Sequence, residues 1–312
     1  MDIRLLQYFL TIAEEENITR AAAKLNMSQP PLSRQLKQLE EQLGVTLFER
    51  GKRKMQLTEA GYFLKNRGVE ILDLIKKTED QLHERCDGTS GLINIGSIET
   101  AGASVLPQLI ASYRKVFPKV SFDIWNGNSD DIVERLDKGF LDIGIVREPF
   151  NSQRYEGIML PKEPWMVLMH VDNPLAADAS ATIELSALAK APLIIPSRIV
   201  HGIEINQWFG SIGLKPNIFC VYNALMSAIV LVRENTGVAL CPLSARNILA
   251  SENLVYKEII HPRVESSPVI IWKKYKYLSG AVNNFLGLVK KQYRQKRRES
   301  DKDDFAADEI RD

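Results

Sequence analysis

Residues 28–40 read SQPPLSRQLKQLE. Gln29, Ser33, Arg34, Lys37 and Gln38 recur at intervals that put them on one face of a helix. These side chains suit base edges: arginine or lysine donates to guanine, glutamine pairs with adenine, and serine serves either. Leu32, Leu36, Leu39 and Leu43 supply the apolar stripe that such a helix must bury. Pro30 and Pro31 look out of place, because proline breaks helix interiors. With Ser28 as N-cap they fall in the first turn, where N–H groups lack intrahelical partners and a fixed φ favours helix entry. They then stiffen the turn that delivers Ser33 and Arg34, and the Pro31 ring can touch a thymine methyl.

A solvated helix face could have the same composition, so the surrounding charge decides. Residues 20–67 carry ten Lys or Arg against four Asp or Glu, a balance of +6. Residues 1–19 give one minus four, −3, and residues 68–87 give three minus six, −3. The positive block is confined to this helix and its neighbours, including the hairpin sequence RGKRK, as a phosphate-binding surface requires. The whole chain has a net charge of only +1, which hides this block.

The elements that position these residues follow from periodicity. Leu5, Leu6, Phe9, Leu10, Ile12 and Ala13 mark a first helix. Asn17 or Thr19 can cap a second, which carries Ala21, Ala22, Ala23 and Leu25 and ends near Asn26. Gly44 ends the third. VTLFER and the end of GKRKMQLT form a two-stranded hairpin, so residues 1–58 are predicted to be a winged helix-turn-helix. Residues 59–86 form one long helix, interrupted in pattern at Arg67-Gly68. Its seam is Leu57, Leu64, Ile71 and Thr78, with Leu74, Ile75 and Leu82 beside it. A heptad stripe on a polar helix calls for a partner helix.

DGTSG at 87–91 reads as a linker. Beyond it, LINIGS, VSFDIWN and LDIGIV alternate with helical patterns in SVLPQLIASYRKVFP and SDDIVERLDKG, the signature of a parallel sheet covered by helices. A second α/β unit follows: WMVLMH, helix then strand in SALAKAPLIIP, helix INQWFGSIG, strand IFCVYN, helix ALMSAIVLVREN and strand VALCP. SPVIIWKK and the helix AVNNFLGLVKKQY close it. The two-lobed α/β region is thus assigned to 92–291, with lobe I at about 92–161 and 266–291 and lobe II at about 162–265. Two lobes joined by crossing segments enclose a cleft at the carboxyl ends of their strands. Residues 292–312 are a charged tail, expected to be frayed and disordered.

The segment from Leu5 to Gly61 resembles the DNA-binding domain of LysR-type transcriptional regulators. The Ala-Ala pair and leucine of the second helix, SQPPLS, the LE-x-x-LG end of the third, LFER, and LTEAG keep that family's order and spacing. Asn17-Ile18-Thr19 stands where the family more often has a Gly-Ser pair. The long helix and the periplasmic-binding-protein-like, two-lobed α/β remainder extend the resemblance over nearly the whole chain. It implies a homodimer or homotetramer on double-stranded promoter DNA with partial dyad symmetry. A small-molecule effector between the lobes would alter DNA bending and contact with RNA polymerase, with no cofactor. The resemblance assigns Gln29, Pro31, Ser33, Arg34 and Lys37 on the third helix and Arg50 and Arg53 in the wing to DNA. Thr19, Arg20 and Ser28 become phosphate contacts.

The same resemblance puts the effector pocket between the lobes. Ser97, Ile98, Glu99 and Thr100 follow the first strand, where hydroxyls and free N–H groups suit an anion. Glu99 opposes that charge and is expected to point away or to recognise an amine. Asn126 and Asn128 follow the second strand, and Asn128 or Ser129 caps a helix. Arg147 ends LDIGIV, placed to pair with a carboxylate. Ser197, Arg198 and His201 follow LIIP, and Asn223 follows FCVY. Ser97, Thr100, Asn128, Arg147, Ser197, Arg198, His201 and Asn223 are the candidate contacts.

Other classes fit less well. The chain has no GxSxG, no GxGxxG after the first strand and no GKS, and its histidines, at 83, 170, 201 and 261, lack metal-ligand spacing. An enzyme or a metal site is therefore not expected. A solute-binding protein would share the cleft but carry an export signal and lack residues 1–86. MDIRLLQYFLTIAEEEN is too charged for such a signal, and the longest apolar run, ALMSAIVLV, is too short to span a bilayer. Cys86, Cys220 and Cys241 show no paired spacing, which points to reduced thiols and a cytoplasmic protein, with a Cys220–Cys241 redox sensor as the alternative.

Overall fold

The computed structural model describes residues 2–50, 54–83, 88–248 and 252–293. The chain divides into two compact units, Met1–His83 and Glu84–Asp312.

The first unit has helices α1 (Ile3–Glu15), α2 (Ile18–Lys24) and α3 (Gln29–Leu43), a hairpin of β1 (Phe48–Arg50) and β2 (Met55–Leu57), and α4 (Glu59–His83). The hairpin is antiparallel, with Phe48 opposite Leu57. Leu6, Phe9, Ile12, Ala21, Leu32 and Leu39 meet in one core, so the leucine face of α3 is its buried face. Asn17 is the cap of α2: its side-chain oxygen accepts from the backbone N–H groups of Thr19 and Arg20. Gly44, at φ 69°, ends α3 in the left-handed conformation that glycine adopts without strain. The Glu40 carboxylate accepts from the Leu47 N–H at 2.7 Å and fixes the wing to α3.

Gly68 does not interrupt α4. A Cβ there would stand 2.9 Å from the Leu6 side chain, so the glycine lets α4 approach α1 closely. The expected heptad seam divides. Leu64 packs with Leu72 on this unit's own core, whereas Ile71 and Leu74 stay exposed, as do Tyr62, Phe63 and Val69.

The second unit holds two sheets. One has the order β4 (Lys119–Asn126), β3 (Ser90–Ser97), β5 (Ile143–Arg147), β14 (Pro268–Lys273) and β6 (Tyr155–Met159). Helices α5 (Glu99–Ser104), α6 (Leu106–Val116), α7 (Ser129–Asp137) and α10, over 280–293, belong to this lobe. The other has the order β10 (Ile218–Tyr222), β9 (Leu193–Pro196), β11 (Val238–Pro242), β7 (Glu163–His170), β12 (Leu254–Ile260) and β8 (Thr182–Glu184), with β13 (Glu265–Ser266) paired to β7. Helices α8 (Ile199–Ser211) and α9 (Leu225–Arg233) complete it. The chain passes between the sheets twice, from β6 to β7 and from β13 to β14.

Both sheets are mixed rather than parallel. β14 runs antiparallel to β5 and β6, and β7 antiparallel to β11 and β12, because those strands are the returns from the crossings. SALAK forms only a 3-10 turn, Leu185–Leu188. Strands β6, β8 and β12 are not among those the sequence pattern predicts. In β12 the buried Lys257, bound to Asp178, breaks the apolar alternation. Cys220 on β10 and Cys241 on β11 have β9 between them. Two strand spacings, roughly 10 Å, exceed disulfide reach, so this pair cannot form the redox bond considered above. Cys86 lies outside the described residues.

The glycine of LTEAG has a packing role. A Cβ at Gly61 would stand 2.2 Å from the Leu47 carbonyl oxygen and 2.9 Å from the Leu57 side chain. Gly61→Ala is expected to lower stability by about 1–3 kcal/mol, seen as a lower urea midpoint by far-UV circular dichroism. An unchanged midpoint would contradict this close packing.

Candidate functional site

The first candidate site is the outward face of α3. Gln29, Arg34, Lys37 and Gln38 are exposed, while Pro31 and Ser33 are half-buried at its amino end. Arg34 has no hydrogen bond or ion pair among the described residues, so its guanidinium fork is available. Lys37 lies 3.4 Å from Glu41 one turn on, an exposed pair that solvent weakens. Thr19 and Arg20 are exposed on α2, with Arg20 resting on Glu15. Part of the positive block is spent internally. Lys24 meets Glu14 and Glu15, and Lys54 meets Glu16 at 2.8 Å; these lysines hold the Glu14 and Glu16 carboxyls below their ordinary range. Arg50 lies on β1; its side chain and all of Arg53 are outside the described residues.

Ser28 is the N-cap of α3 by position, with extended backbone (φ −83°, ψ 154°), yet its hydroxyl makes no cap hydrogen bond. An N-cap oxygen ordinarily accepts from the N–H of the second or third helical residue. Here those residues are Pro30 and Pro31, which have no N–H. The prolines therefore set the helix start without occupying the serine, and the exposed Ser28 hydroxyl makes no cap hydrogen bond.

The second candidate site is a small cleft in the second unit, lined from both sheets. Thr100, Asn128, Arg147, Ser197, Arg198 and Asn223 line it, together with Ile98, Glu99, Ser129, Trp165, Tyr222 and Leu225. Ser97 does not. It is fully buried and donates to the Ile98 carbonyl, because the chain turns into α5 only after it. His201 lies on α8, and its side chain is outside the described residues. Asn128 is the cap of α7, accepting from Asp130 and Asp131 N–H at 2.9 Å each. Ser129 is not a cap; its oxygen accepts from the Arg147 N–H at 3.1 Å.

Arg147 differs from expectation. Its guanidinium is buried and faces a carboxylate of the protein, Glu163 Oε1, at 2.7 Å. It also donates to Ser266 Oγ at 2.8 Å and, at 3.5 Å, to Thr100 Oγ1. Glu163 in turn accepts from the Ser244 N–H at 2.6 Å and its hydroxyl at 3.0 Å. Arg198 is likewise committed: to the Arg147 carbonyl at 2.6 Å, the Glu148 carbonyl at 3.3 Å, the Pro149 carbonyl at 2.8 Å and Asp130 at 3.4 Å. Glu99 points across the cleft. Its Oε2 accepts from the Leu225 N–H at 2.6 Å, at the uncapped start of α9.

Glu163, Ser266, Ser244 and Asp130 are absent from the sequence-based candidates. The trace of Glu163 in the sequence is a charged residue two positions before the buried run WMVLM, a weak signal that needs the fold to place its partner. Burial pushes the Cys241 thiol up to about 12, which keeps it protonated and inert.

Comparison with known proteins identifies the class. The "LysR substrate binding domain" profile matches residues 87–294, and "Bacterial regulatory helix-turn-helix protein, lysR family" matches 3–62. The chain is 32% identical to the HTH-type transcriptional regulator AlsR of Bacillus subtilis (strain 168) over 277 residues, 88% of this chain and 91% of AlsR. It is 29% identical to BenM of Acinetobacter baylyi over 268 residues, 84% of this chain and 86% of BenM. The crystal structure of CbnR, a LysR family transcriptional regulator, superposes with a TM-score of 0.77 at 25% identity, covering 93% of this chain and 99% of CbnR. A CbnR complex with its target DNA matches equally well. The chain belongs to the LysR family of transcriptional regulators, which is not a family of enzymes.

The freed Ser28 hydroxyl makes a separable prediction. Ser28→Ala should change stability by less than about 0.5 kcal/mol, whereas a working cap would cost about 1 kcal/mol. The same variant should bind DNA more weakly. A stability loss of cap size would show that Ser28 acts within the helix.

Proposed function

We propose that this protein binds promoter DNA of partial dyad symmetry as a homodimer or homotetramer in the cytoplasm and answers to a small molecule held between its α/β lobes. The single observation that carries the DNA reading is the unpartnered, exposed Arg34 beside Gln29 and Ser33 at the amino end of α3, which is the part of a recognition helix that enters the major groove. Gln29, Pro31, Ser33, Arg34 and Lys37 read bases; Arg50 and Arg53 hold the adjacent backbone from the wing; Thr19, Arg20 and Ser28 meet phosphates. Support comes from the likeness to CbnR, whose relative structure includes its target DNA.

Exposed Phe63, Ile71 and Leu74, which share one face of α4, supply the apolar surface for pairing with a second copy. The cleft residues Thr100, Asn128, Ser197 and Asn223 contact the effector, with Arg147 and Arg198 shaping its floor. Effector binding changes DNA bending and contact with RNA polymerase. The chain needs no cofactor for this, and no helix among the described residues is long and apolar enough to cross a membrane.

The test is binding to DNA from upstream of the protein's own gene and to random DNA across a salt series. Arg34→Ala is expected to cost about 1–3 kcal/mol on the specific site and much less on random DNA. Equal losses on both would make Arg34 a phosphate contact, and no binding by the unaltered protein at low salt would overturn the reading.

A further inference from the structure

We infer that the cleft selects a ligand with a cationic nitrogen, seated on Glu99, and an acceptor oxygen, seated on the Thr100 and Ser129 hydroxyls. This rests on the cleft reading above and names the class of molecule the cleft takes.

The positive charge that lines the cleft is engaged by the protein itself. Arg147 and Arg198 are its positively charged wall residues, and both are already bound within the protein, Arg147 to the Glu163 carboxylate and Arg198 to three backbone carbonyls and Asp130. A ligand carboxylate that took the place of Glu163 on Arg147 would break a pair whose side chains are only 5% and 12% exposed, stranding one buried charge. Glu99 is the carboxylate that lines the cleft, Glu163 and Asp130 hold the two arginines from outside its lining, and the adjoining pocket adds Asp131.

Glu99 has an unspent atom. Its Oε2 is held by the Leu225 N–H, and its Oε1 has no partner among the described residues. It lines both the cleft and the pocket at its mouth, where no lysine or arginine is found. An ammonium or guanidinium on Oε1 would leave the Leu225 contact intact, so the ligand and the protein would be bonded to one carboxylate that spans the two lobes.

The hydroxyls give the second half of the pattern. Thr100 and Ser129 are 8% and 3% exposed and both line the cleft. Each accepts from Arg147, the first from its side chain and the second from its backbone N–H. A hydroxyl whose lone pair is used this way still has one hydrogen to give. Neither hydrogen has an acceptor among the described residues, and an unmet donor at this depth costs free energy until an acceptor arrives. Apolar walls from Ile98, Trp165, Tyr222 and Leu225 surround these three groups. A cation beside an acceptor oxygen is the pattern of an amino acid or of an amine bearing a carbonyl or hydroxyl.

The experiment is calorimetric titration of the full-length protein, its Glu99→Gln form and its Thr100→Val form with the twenty amino acids, their amides, and the matching 2-oxo acids and N-acetyl amino acids. Melting temperatures confirm that each variant folds. At least one cationic probe should bind the unaltered protein, with its N-acetyl or 2-oxo counterpart at least about tenfold weaker, and Glu99→Gln should weaken the cationic probe by a similar factor. Failure of every cationic probe overturns the inference. Tighter binding of the 2-oxo or N-acetyl set, weakened by Thr100→Val, overturns the ligand class and keeps the cleft. Binding of any probe untouched by both substitutions would overturn the cleft reading itself.

Discussion

The second unit is organised around one buried ion pair. Arg147 ends β5 in the first lobe and Glu163 begins β7 in the second, and their 2.7 Å contact joins the two sheets where the chain first crosses. Ser266, the other partner of Arg147, stands at the second crossing. A buried pair of this kind is costly to desolvate and persists only when every remaining lone pair and proton is satisfied. Ser266 and Thr100 on the arginine and Ser244 on the glutamate supply such additional hydrogen bonds. The pair also removes the most obvious anion-binding residue from ligand recognition.

That commitment explains why the cleft was only half legible in the sequence. Thr100, Asn128, Arg147, Ser197, Arg198 and Asn223 follow strands, and the rule that ligands sit at the carboxyl ends of strands finds them. The partners of Arg147, Glu163 and Ser266, are 16 and 119 residues away in the chain, and no local pattern pairs them. Ser97 was misplaced by one turn of chain, since the strand continues through it. The missed strands β6, β8 and β12 share a cause: they are short or carry charge, and they become strands only because a neighbouring strand supplies the ladder.

The first unit was more legible, because its constraints are local. Apolar spacing, Asn17, Gly44 and the paired prolines each act within a few residues of themselves. Even so, geometry changed the meaning of SQPPLS. The serine begins the helix without capping it, since the prolines that follow offer it no N–H. The heptad seam of α4 likewise proved to serve two purposes, with Leu64 turned to the core and Ile71 and Leu74 left exposed.

The account turns on Arg147 and Glu163 holding each other. A double-mutant cycle with Arg147→Met and Glu163→Gln tests it most directly, followed by tryptophan fluorescence during urea unfolding; Trp125, Trp165, Trp208 and Trp272 all lie in the second unit. Each single change should cost about 3–5 kcal/mol, and the double change well under the sum, because it leaves no stranded buried charge. Losses that add to within about 0.5 kcal/mol would mean that the two residues are not coupled, and the central claim would fail.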